Sequence, residues 1–288
     1  MANPPSDVSA LCDSFNSQAS TYDRRLGGAT RRIVTFIIPL LDSRPGNPTI
    51  LDNASGPGFA TEVLLKAYPD ARIYAADVAP GMVALLDQLI ASNGWSERVE
   101  TAVMDGVELG YADELFDASI TNFGLFFFPS PLAGARELYR TLRPGGKAAV
   151  TCWKEVPFLP ILHAVQAILK PGTKPITLPK LEEWTDPETM EGVLREGGFE
   201  EVKMEKREVM WWNRGVEEAA RGFADNFENM VGDQWTSGEK SHILKTTAQV
   251  LEKRGKEFVV ESEGMIGFRM VAWIAVGTRG AQDKSVVL

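Results

Sequence analysis

Apolar and polar residues follow one another in a regular succession between residues 49 and 153. Short apolar runs, typical of buried strands, alternate with stretches in which apolar residues recur every three or four positions, as in amphipathic helices. The strands predicted in this way are 49–53, 72–77, 99–104, 116–122 and 147–153. The helices predicted between them are 60–67, 80–92 and 132–142. Strands that alternate with helices predict an α/β fold with a mostly parallel sheet and right-handed crossovers.

The pattern changes on both sides of this region. Two helical stretches precede the first strand, and a mainly helical region, 215–254, separates an alternating strand at 199–210 from a final strand at 265–278. A strand that follows such a region can enter the sheet antiparallel to its neighbour. We therefore expect N-terminal helices over residues 1–48, a sheet domain over 49–212 and 265–288, and a helical insertion over 213–264.

Composition and charge disfavour several functional classes. Of the 288 residues, 44% are hydrophobic and 24% charged, as in ordinary globular proteins with a large core. The formal net charge of -9 and the lack of a dense Lys/Arg cluster disfavour nucleic acid and anionic membranes as partners. Cys12 and Cys152 belong to no metal-binding pattern, so no metal is expected. With no secretory signal at the N-terminus, free thiols predict a cytoplasmic protein.

The segment that joins the first strand to the next helix is rich in small residues. It reads Asp52-Asn-Ala-Ser-Gly-Pro-Gly58, and its glycines can adopt backbone angles closed to other residues. The helix that follows presents unpaired N–H groups, which suit an anionic group. The segment lacks the Gly-Lys-Ser/Thr of a phosphate-binding P-loop. An ordinary strand-to-helix turn is the alternative interpretation.

An acid ends the second predicted strand at a distinctive distance from this segment. Asp77 lies 19 residues after Gly58 (77 − 58). In dinucleotide-binding folds a carboxylate at about this spacing binds ribose hydroxyls. The turn after Asp77 would allow Met82 to pack on an adenine face. The alternative is that Asp77 caps the helix that begins at Pro80.

Further polar and aromatic residues follow the third and fourth strands. Asp105 and Gly106 come after the third strand, and Asn122 and Phe123 end the fourth. In open parallel sheets, ligands bind beyond the carboxyl ends of the strands, so these residues are candidates for one binding site. For Asp105, a purely local role in a turn before glycine is the alternative.

Together these features resemble the class I S-adenosylmethionine (SAM) methyltransferases, whose first motif is an acid followed by G-x-G-x-G. Ala54 stands at the first glycine of that motif, and the turn at 142–147 resembles a further motif of the family. With Trp153 and the helical insertion, the chain is most similar to fungal natural-product methyltransferases, among them the gliotoxin bis-thiomethyltransferase.

The resemblance implies a Rossmann-like fold whose mostly parallel, seven-stranded sheet has its last strand antiparallel, with a helical insertion over the acceptor site. It implies SAM as the cofactor and a small-molecule methyl acceptor in secondary metabolism, with a thiol preferred over a phenol or an amine. The residues expected to bind the cofactor are Tyr22, Asp52, Asn53, Ala54, Gly56, Gly58, Asp77, Met82, Asp105, Gly106, Asn122 and Phe123.

Aromatic residues outside the cofactor motifs are candidates for the acceptor pocket. Phe127, Trp153 and Trp211 are expected to line it. His163 is the candidate general base, because imidazole titrates near neutral pH, although a structural role is the alternative.

Two other functions remain compatible with intact cofactor motifs. The fold can serve a non-methylating, pericyclase-type reaction, or the chain can be a non-catalytic SAM-binding partner module. An NAD-dependent oxidoreductase is disfavoured, because the third glycine of the dinucleotide fingerprint is missing.

Overall fold

A single sheet forms the centre of the computed structural model, which describes residues 12–13, 15–16, 28–41, 47–254 and 259–281. The described strands are β1 (Thr49–Asn53), β2 (Arg72–Asp77), β3 (Val99–Val103), β4 (Phe116–Thr121), β5 (Leu142–Glu155), β6 (Glu201–Asn213), β7 (Val260–Ser262) and β8 (Met265–Thr278). They lie in the order β3-β2-β1-β4-β5-β8-β6, and β7 pairs with β8. Strands β1 to β5 are parallel, and β8 is antiparallel to both β5 and β6. The predicted α/β fold with an antiparallel last strand is confirmed.

Helices connect and cover these strands. The described ones are α1 (Ala29–Leu41), α2 (Phe59–Ala67), α3 (Pro80–Asn93), α4 (Pro131–Thr141), α5 (Phe158–Leu169), α6 (Pro179–Glu183), α7 (Pro187–Glu196), α8 (Val216–Val231), α9 (Ser237–Lys240) and α10 (Ile243–Arg254). Helix α1 packs against α2 and against β5, β6 and β8, and α4 packs against α7. Helices α5, α8 and α10 pack on one another.

The central strands are buried because helices cover the sheet. Ile50, Leu51 and Ile120 have no exposed surface, and the apolar runs that predicted these strands form part of the core. A second group of aromatic side chains joins α5 and α8 to the sheet. In this group the Trp211 ring lies 4.8 Å from Phe223 and 5.6 Å from Phe268 between ring centroids. The helical insertion is thus attached to the sheet by buried contacts.

Three strands differ from the sequence prediction by more than one residue. Strand β6 runs from Glu201 to Asn213 rather than over residues 199–210. Strand β5 begins at Leu142 rather than at residue 147, because Leu142 pairs with Phe116 of β4 and the Pro-Gly-Gly segment forms a bulge before pairing resumes at Lys147. The short strand β7 was not predicted; its three exposed residues pair with β8 through a tight turn. Of the helices that the structure describes, none has the length and apolarity needed to cross a membrane.

Candidate functional site

The carboxyl ends of β1 to β4 surround a cleft with about 650 Å³ of empty space, part of it open to solvent. Apart from Phe15, its lining residues lie at the ends of these strands or in the segments that follow them, as expected for an open parallel sheet. The predicted residues that line the cleft are Asn53, Ala54, Gly56, Asp77, Met82, Asp105, Gly106, Asn122, Phe123 and Phe127. The structure therefore brings residues from four separate segments of the sequence into one site.

The segment between β1 and α2 is held in an unusual backbone conformation. Ala54, Gly56 and Gly58 have φ values of +56°, +54° and +92°, in the left-handed region that favours glycine. Ala54 stands where the methyltransferase motif has its first glycine. A Cβ built on Gly124 would lie 2.6 Å from the Cβ of Ala54. The alanine at position 54 is thus accommodated because the neighbouring Gly124, in the segment after β4, has no side chain.

The Asp77 carboxyl accepts hydrogen bonds from the segments that follow β1 and β2. Its Oδ2 accepts a hydrogen bond from the Gly56 N–H at 2.8 Å, and its Oδ1 accepts one from the Ala79 N–H at 2.9 Å. Burial raises the pKa of this carboxyl, and the two N–H donors partly offset the rise. Each carboxylate oxygen retains a lone pair that can accept from a ligand hydroxyl.

Asp52 is more deeply buried than Asp77, and only one of its two carboxyl oxygens has hydrogen-bond partners. Its Oδ2 accepts hydrogen bonds from the Thr61 N–H at 2.9 Å and the Thr61 hydroxyl at 2.6 Å. Its Oδ1 has no hydrogen-bond partner. Burial raises the pKa of Asp52 to about 7, against the lowering effect of the Thr61 donors. The ionised form therefore needs a further partner, such as a positively charged group.

A small cavity beside Asp52 offers space for such a group. It has about 310 Å³ of empty space, and Thr30, Asp52 and Ser55 help to line it. The hydroxyls of Thr30 and Ser55 are buried and, like Oδ1 of Asp52, have no partner. Buried polar atoms without partners indicate a missing polar ligand or water. The cavity shares lining residues with the main cleft, so the ammonium group of an amino-acid moiety in the cleft fits it chemically.

Asp105 and Gly106 follow β3 and have local as well as site roles. Asp105 Oδ1 accepts from the Val107 N–H at 3.1 Å, so the carboxyl closes the turn while it lines the cleft. A Cβ on Gly106 would lie 2.4 Å from the ring of Phe128. Glycine at 106 therefore makes room for Phe128.

The end of β4 is fixed by β5. The Asn122 side chain donates to the Thr30 carbonyl at 3.3 Å and accepts from the Thr151 hydroxyl at 2.9 Å. Phe123 has a left-handed φ of +57°, and its ring is stacked on Trp153 with centroids 4.1 Å apart. Trp153, expected in the acceptor pocket, thus packs against Phe123 and is not among the residues that line the cleft.

Asp52 lines the small cavity instead of the cleft, and three other expected residues are also not among those lining the cleft. His163 Nε2 lies 2.7 Å from the Ile176 carbonyl oxygen, which can only accept, so Nε2 carries the hydrogen. Trp211 is 1% exposed and packs in the aromatic group described above. Gly58 caps α2, where a Cβ would lie 2.4 Å from Leu86, so it permits α2 to approach α3. Tyr22 lies outside the described residues.

Other lining residues were not singled out from the sequence: Phe15, Val78, Met104, Gly124, Phe128 and Pro129. Phe15 belongs to a predicted N-terminal helix and meets Phe127 edge to face, with ring centroids 5.3 Å apart. The neighbouring Asn16 accepts from the Gly81 N–H at 2.7 Å. The N-terminal segment thus contacts both the β2–α3 turn and the segment after β4. The apolar face of its helical pattern was the available signal for Phe15.

The chain is similar in sequence to known methyltransferases. Residues 51–150 match the family model described as a methyltransferase domain. Methyltransferase ucsB of Acremonium sp is 30% identical over 212 residues, which cover 67% of this chain and 71% of that protein. The biotin biosynthesis bifunctional protein BioHC of Teredinibacter turnerae is 31% identical over 148 residues, 49% of this chain. The latter match spans only 26% of BioHC.

Solved structures share the fold at low sequence identity. A protein of Bacillus halodurans C-125 proposed to be a methyltransferase superposes with a TM-score of 0.55 at 18% identity, covering 86% of this chain and 99% of that one. The [4+2]-cyclase SpnF superposes with a TM-score of 0.52 at 20% identity, covering 87% of this chain and 82% of that one. Phosphoethanolamine N-methyltransferase 2 of Haemonchus contortus, in complex with S-adenosylhomocysteine, superposes with a TM-score of 0.52 at 14% identity. The match covers 87% of this chain and 53% of that one.

Proposed function

Since this chain belongs to the methyltransferase family and uses SAM as its cofactor, we propose that it transfers the methyl group to a small aromatic or heterocyclic metabolite, with sulfur as the preferred acceptor atom. Oxygen and nitrogen are the alternative acceptor atoms. The resemblance to fungal natural-product methyltransferases supports a place in secondary metabolism.

The parts of the cofactor are assigned to the segments around the cleft. Asp77 accepts hydrogen bonds from the ribose hydroxyls, which its two fixed oxygens suit. Met82 packs on the adenine, and Asp105 accepts from the adenine amino group. Asn122 and Phe123 face the methionine part and the sulfonium. In this arrangement Asp52 and its small cavity receive the methionine ammonium, which supplies the missing partner of Oδ1.

Methyl transfer is an in-line displacement at the sulfonium carbon. A lone pair of the acceptor forms the new bond to the methyl carbon, and the carbon–sulfur bond breaks toward S-adenosylhomocysteine, which leaves uncharged at sulfur. The cofactor supplies the leaving group, so the protein has to align the acceptor and exclude water. Alignment alone can contribute up to roughly 7–11 kcal/mol.

One observation carries the preference for sulfur. Asp77 and Asp105 are the titratable side chains among the described residues that line the cleft, and around them stand Phe15, Phe123, Phe127 and Phe128. The proposal assigns both carboxyls to the cofactor, and that set has no imidazole, amine or phenol to take a proton. This favours an acceptor that is nucleophilic by itself near neutral pH. A thiol, with a pKa of about 8.5, is ionised roughly thirtyfold more at pH 7 than a phenol with a pKa of about 10.

The test is a matched panel of thiophenol, phenol and aniline, each with SAM, in which release of S-adenosylhomocysteine and methylated product are measured by mass spectrometry. We expect turnover of the thiol to exceed that of the phenol and to rise with pH through the pKa of the acceptor itself. Equal rates for thiol and phenol would contradict the sulfur preference. SAM binding without product from any acceptor would favour the non-methylating reaction or the binding module.

A further inference from the structure

Thr151 of β5 makes two hydrogen bonds to the segment that follows β4. The residue is fully buried. Its hydroxyl oxygen accepts from the Phe123 N–H at 2.8 Å and donates to Asn122 Oδ1 at 2.9 Å. Both Phe123 and Asn122 line the cleft, whereas Thr151 does not. One side chain under the cleft therefore contacts two residues that face it.

The directions of these bonds are fixed by chemistry. The Phe123 N–H can only donate, so the Thr151 oxygen must accept, and its own hydrogen is then free for Asn122. Because the Asn122 oxygen takes that hydrogen, its amide nitrogen points toward the Thr30 carbonyl, 3.3 Å away. The orientation of the Asn122 amide thus depends on the Thr151 hydroxyl, and through Asn122 the first turn of α1 is attached to the end of β4.

The backbone at Phe123 needs such support. A φ of +57° is unfavourable for a residue with a Cβ, and such conformations persist only where the surroundings determine them. The Thr151 hydroxyl holds the Phe123 backbone, and Trp153, two residues further along β5, holds its ring. Alternate residues of β5 thus fix the backbone and the side chain of Phe123.

We propose that Thr151 is a positioning residue that sets Asn122 and Phe123 for the methionine end of the cofactor. This inference rests on the proposed function only for the assignment of that end. Loss of the hydroxyl would leave the Phe123 N–H and Asn122 Oδ1 unpaired in a buried site and free the Asn122 amide to turn. Cofactor affinity and the rate of methyl transfer would both fall, although Thr151 contacts neither reactant.

Thr121 provides a matched control. It is the last residue of the neighbouring strand β4, it is as deeply buried as Thr151, and its hydroxyl has no hydrogen-bond partner. Thr121→Val and Thr151→Val make the same chemical change in adjacent strands, but only the second removes hydrogen bonds to the site. Thr151→Ser keeps the hydroxyl and tests for rescue.

The experiment is calorimetric titration of each full-length variant with S-adenosylhomocysteine, together with thermal unfolding. We expect Thr151→Val to weaken binding about tenfold, while Thr151→Ser and Thr121→Val remain within about twofold of the wild type. If Thr151→Val does not fold, Thr151→Cys replaces it, because a thiol donates and accepts only weakly. Wherever an acceptor turns over, the valine variant should raise KM for SAM and lower kcat.

Equal affinity in Thr151→Val and the wild type, with or without a change in melting temperature, would overturn the proposal and make the residue merely structural. Equal losses in the valine and serine variants would overturn it too. The proposed function fails on a different result: the wild type binds S-adenosylhomocysteine but methylates no acceptor. In that case the binding comparison between the variants still decides the role of Thr151.

Discussion

Replacing Asp52 with asparagine should stabilise the ligand-free protein at neutral pH and, at the same time, weaken cofactor binding. Asparagine has the shape of the protonated carboxyl, and its oxygen can accept both hydrogen bonds from Thr61. It cannot ionise, so the variant lacks the buried negative charge whose Oδ1 has no partner. The two expected effects have opposite signs, which makes the substitution informative.

The stability effect follows from the pKa. Burial moves the pKa of Asp52 from 3.8 to about 7, so between these values the folded protein holds a proton that the unfolded chain has released. The free energy of unfolding therefore falls as pH rises from about 4 to about 7. With 1.36 kcal/mol for each pKa unit, the full difference is about 4 kcal/mol as an upper value. The stability of Asp52→Asn relative to the wild type should rise by up to that amount across the window.

Urea unfolding of both proteins between pH 4.5 and 8 measures this difference. Carboxyls with lowered pKa values, such as Glu62 and Glu137, give the opposite slope, but they are present in both proteins and cancel. Asp70→Asn, at an exposed carboxyl, controls for the loss of one negative charge. A difference between Asp52→Asn and the wild type that changes by less than about 1 kcal/mol over this range would refute the reasoning.

The binding effect has the opposite sign. If the methionine ammonium occupies the cavity beside Asp52, the variant loses a charge-assisted hydrogen bond, worth about 1.5–3 kcal/mol. Cofactor affinity of the wild type should also increase from pH 6 to 8, as Asp52 ionises, while that of Asp52→Asn should not. If calorimetry gave the same pH dependence of cofactor affinity for the wild type and Asp52→Asn, the ammonium would not bind in this cavity.

Three further substitutions probe the site. Asp77→Ala should weaken S-adenosylhomocysteine binding by about 1–3 kcal/mol, because hydrogen-bond acceptors are lost; calorimetry that shows unchanged affinity would remove Asp77 from the site. Ala54→Gly should raise the free energy of unfolding by about 0.5–1 kcal/mol, since relief of the left-handed strain exceeds the entropy cost of glycine; a lower urea midpoint would contradict this. His163→Ala should keep the wild-type kcat at pH 7, because its ring binds the Ile176 carbonyl and is not in the set that lines the cleft; a large fall in kcat would restore it as a candidate base.

The sequence predicted those strand ends well that depend on the local pattern of residues. The end of β2 at Asp77 and both ends of β8 agree with the apolar patterns. The start of β5 was missed, because Pro144 and the two glycines after it are local turn signals. The pairing that extends the strand is long-range, since Leu142 pairs with Phe116 of β4 across a bulge that ends at Lys147. No local pattern contains that information.

The same distinction holds for the site. Asp77, Asp105 and Asn122 could be predicted because strand ends meet at one edge of a parallel sheet, whatever the rest of the chain does. The positions of Trp211 and His163 depend on how the helices after β5 pack. Aromatic composition predicts that Trp211 is buried somewhere, but it cannot separate a pocket wall from the group around Phe223.

The place of β8 between β5 and β6 has a consequence for synthesis. Strand β6 leaves the ribosome well before β8, the strand that pairs along its whole length. During that interval β5 and β6 each present an unpaired edge, of the kind that invites association with other chains. Helices α8 to α10 are made in the same interval. The nascent chain can complete the half of the sheet that carries Asp52, Asp77 and Asp105 early, whereas the other half has to wait for β8.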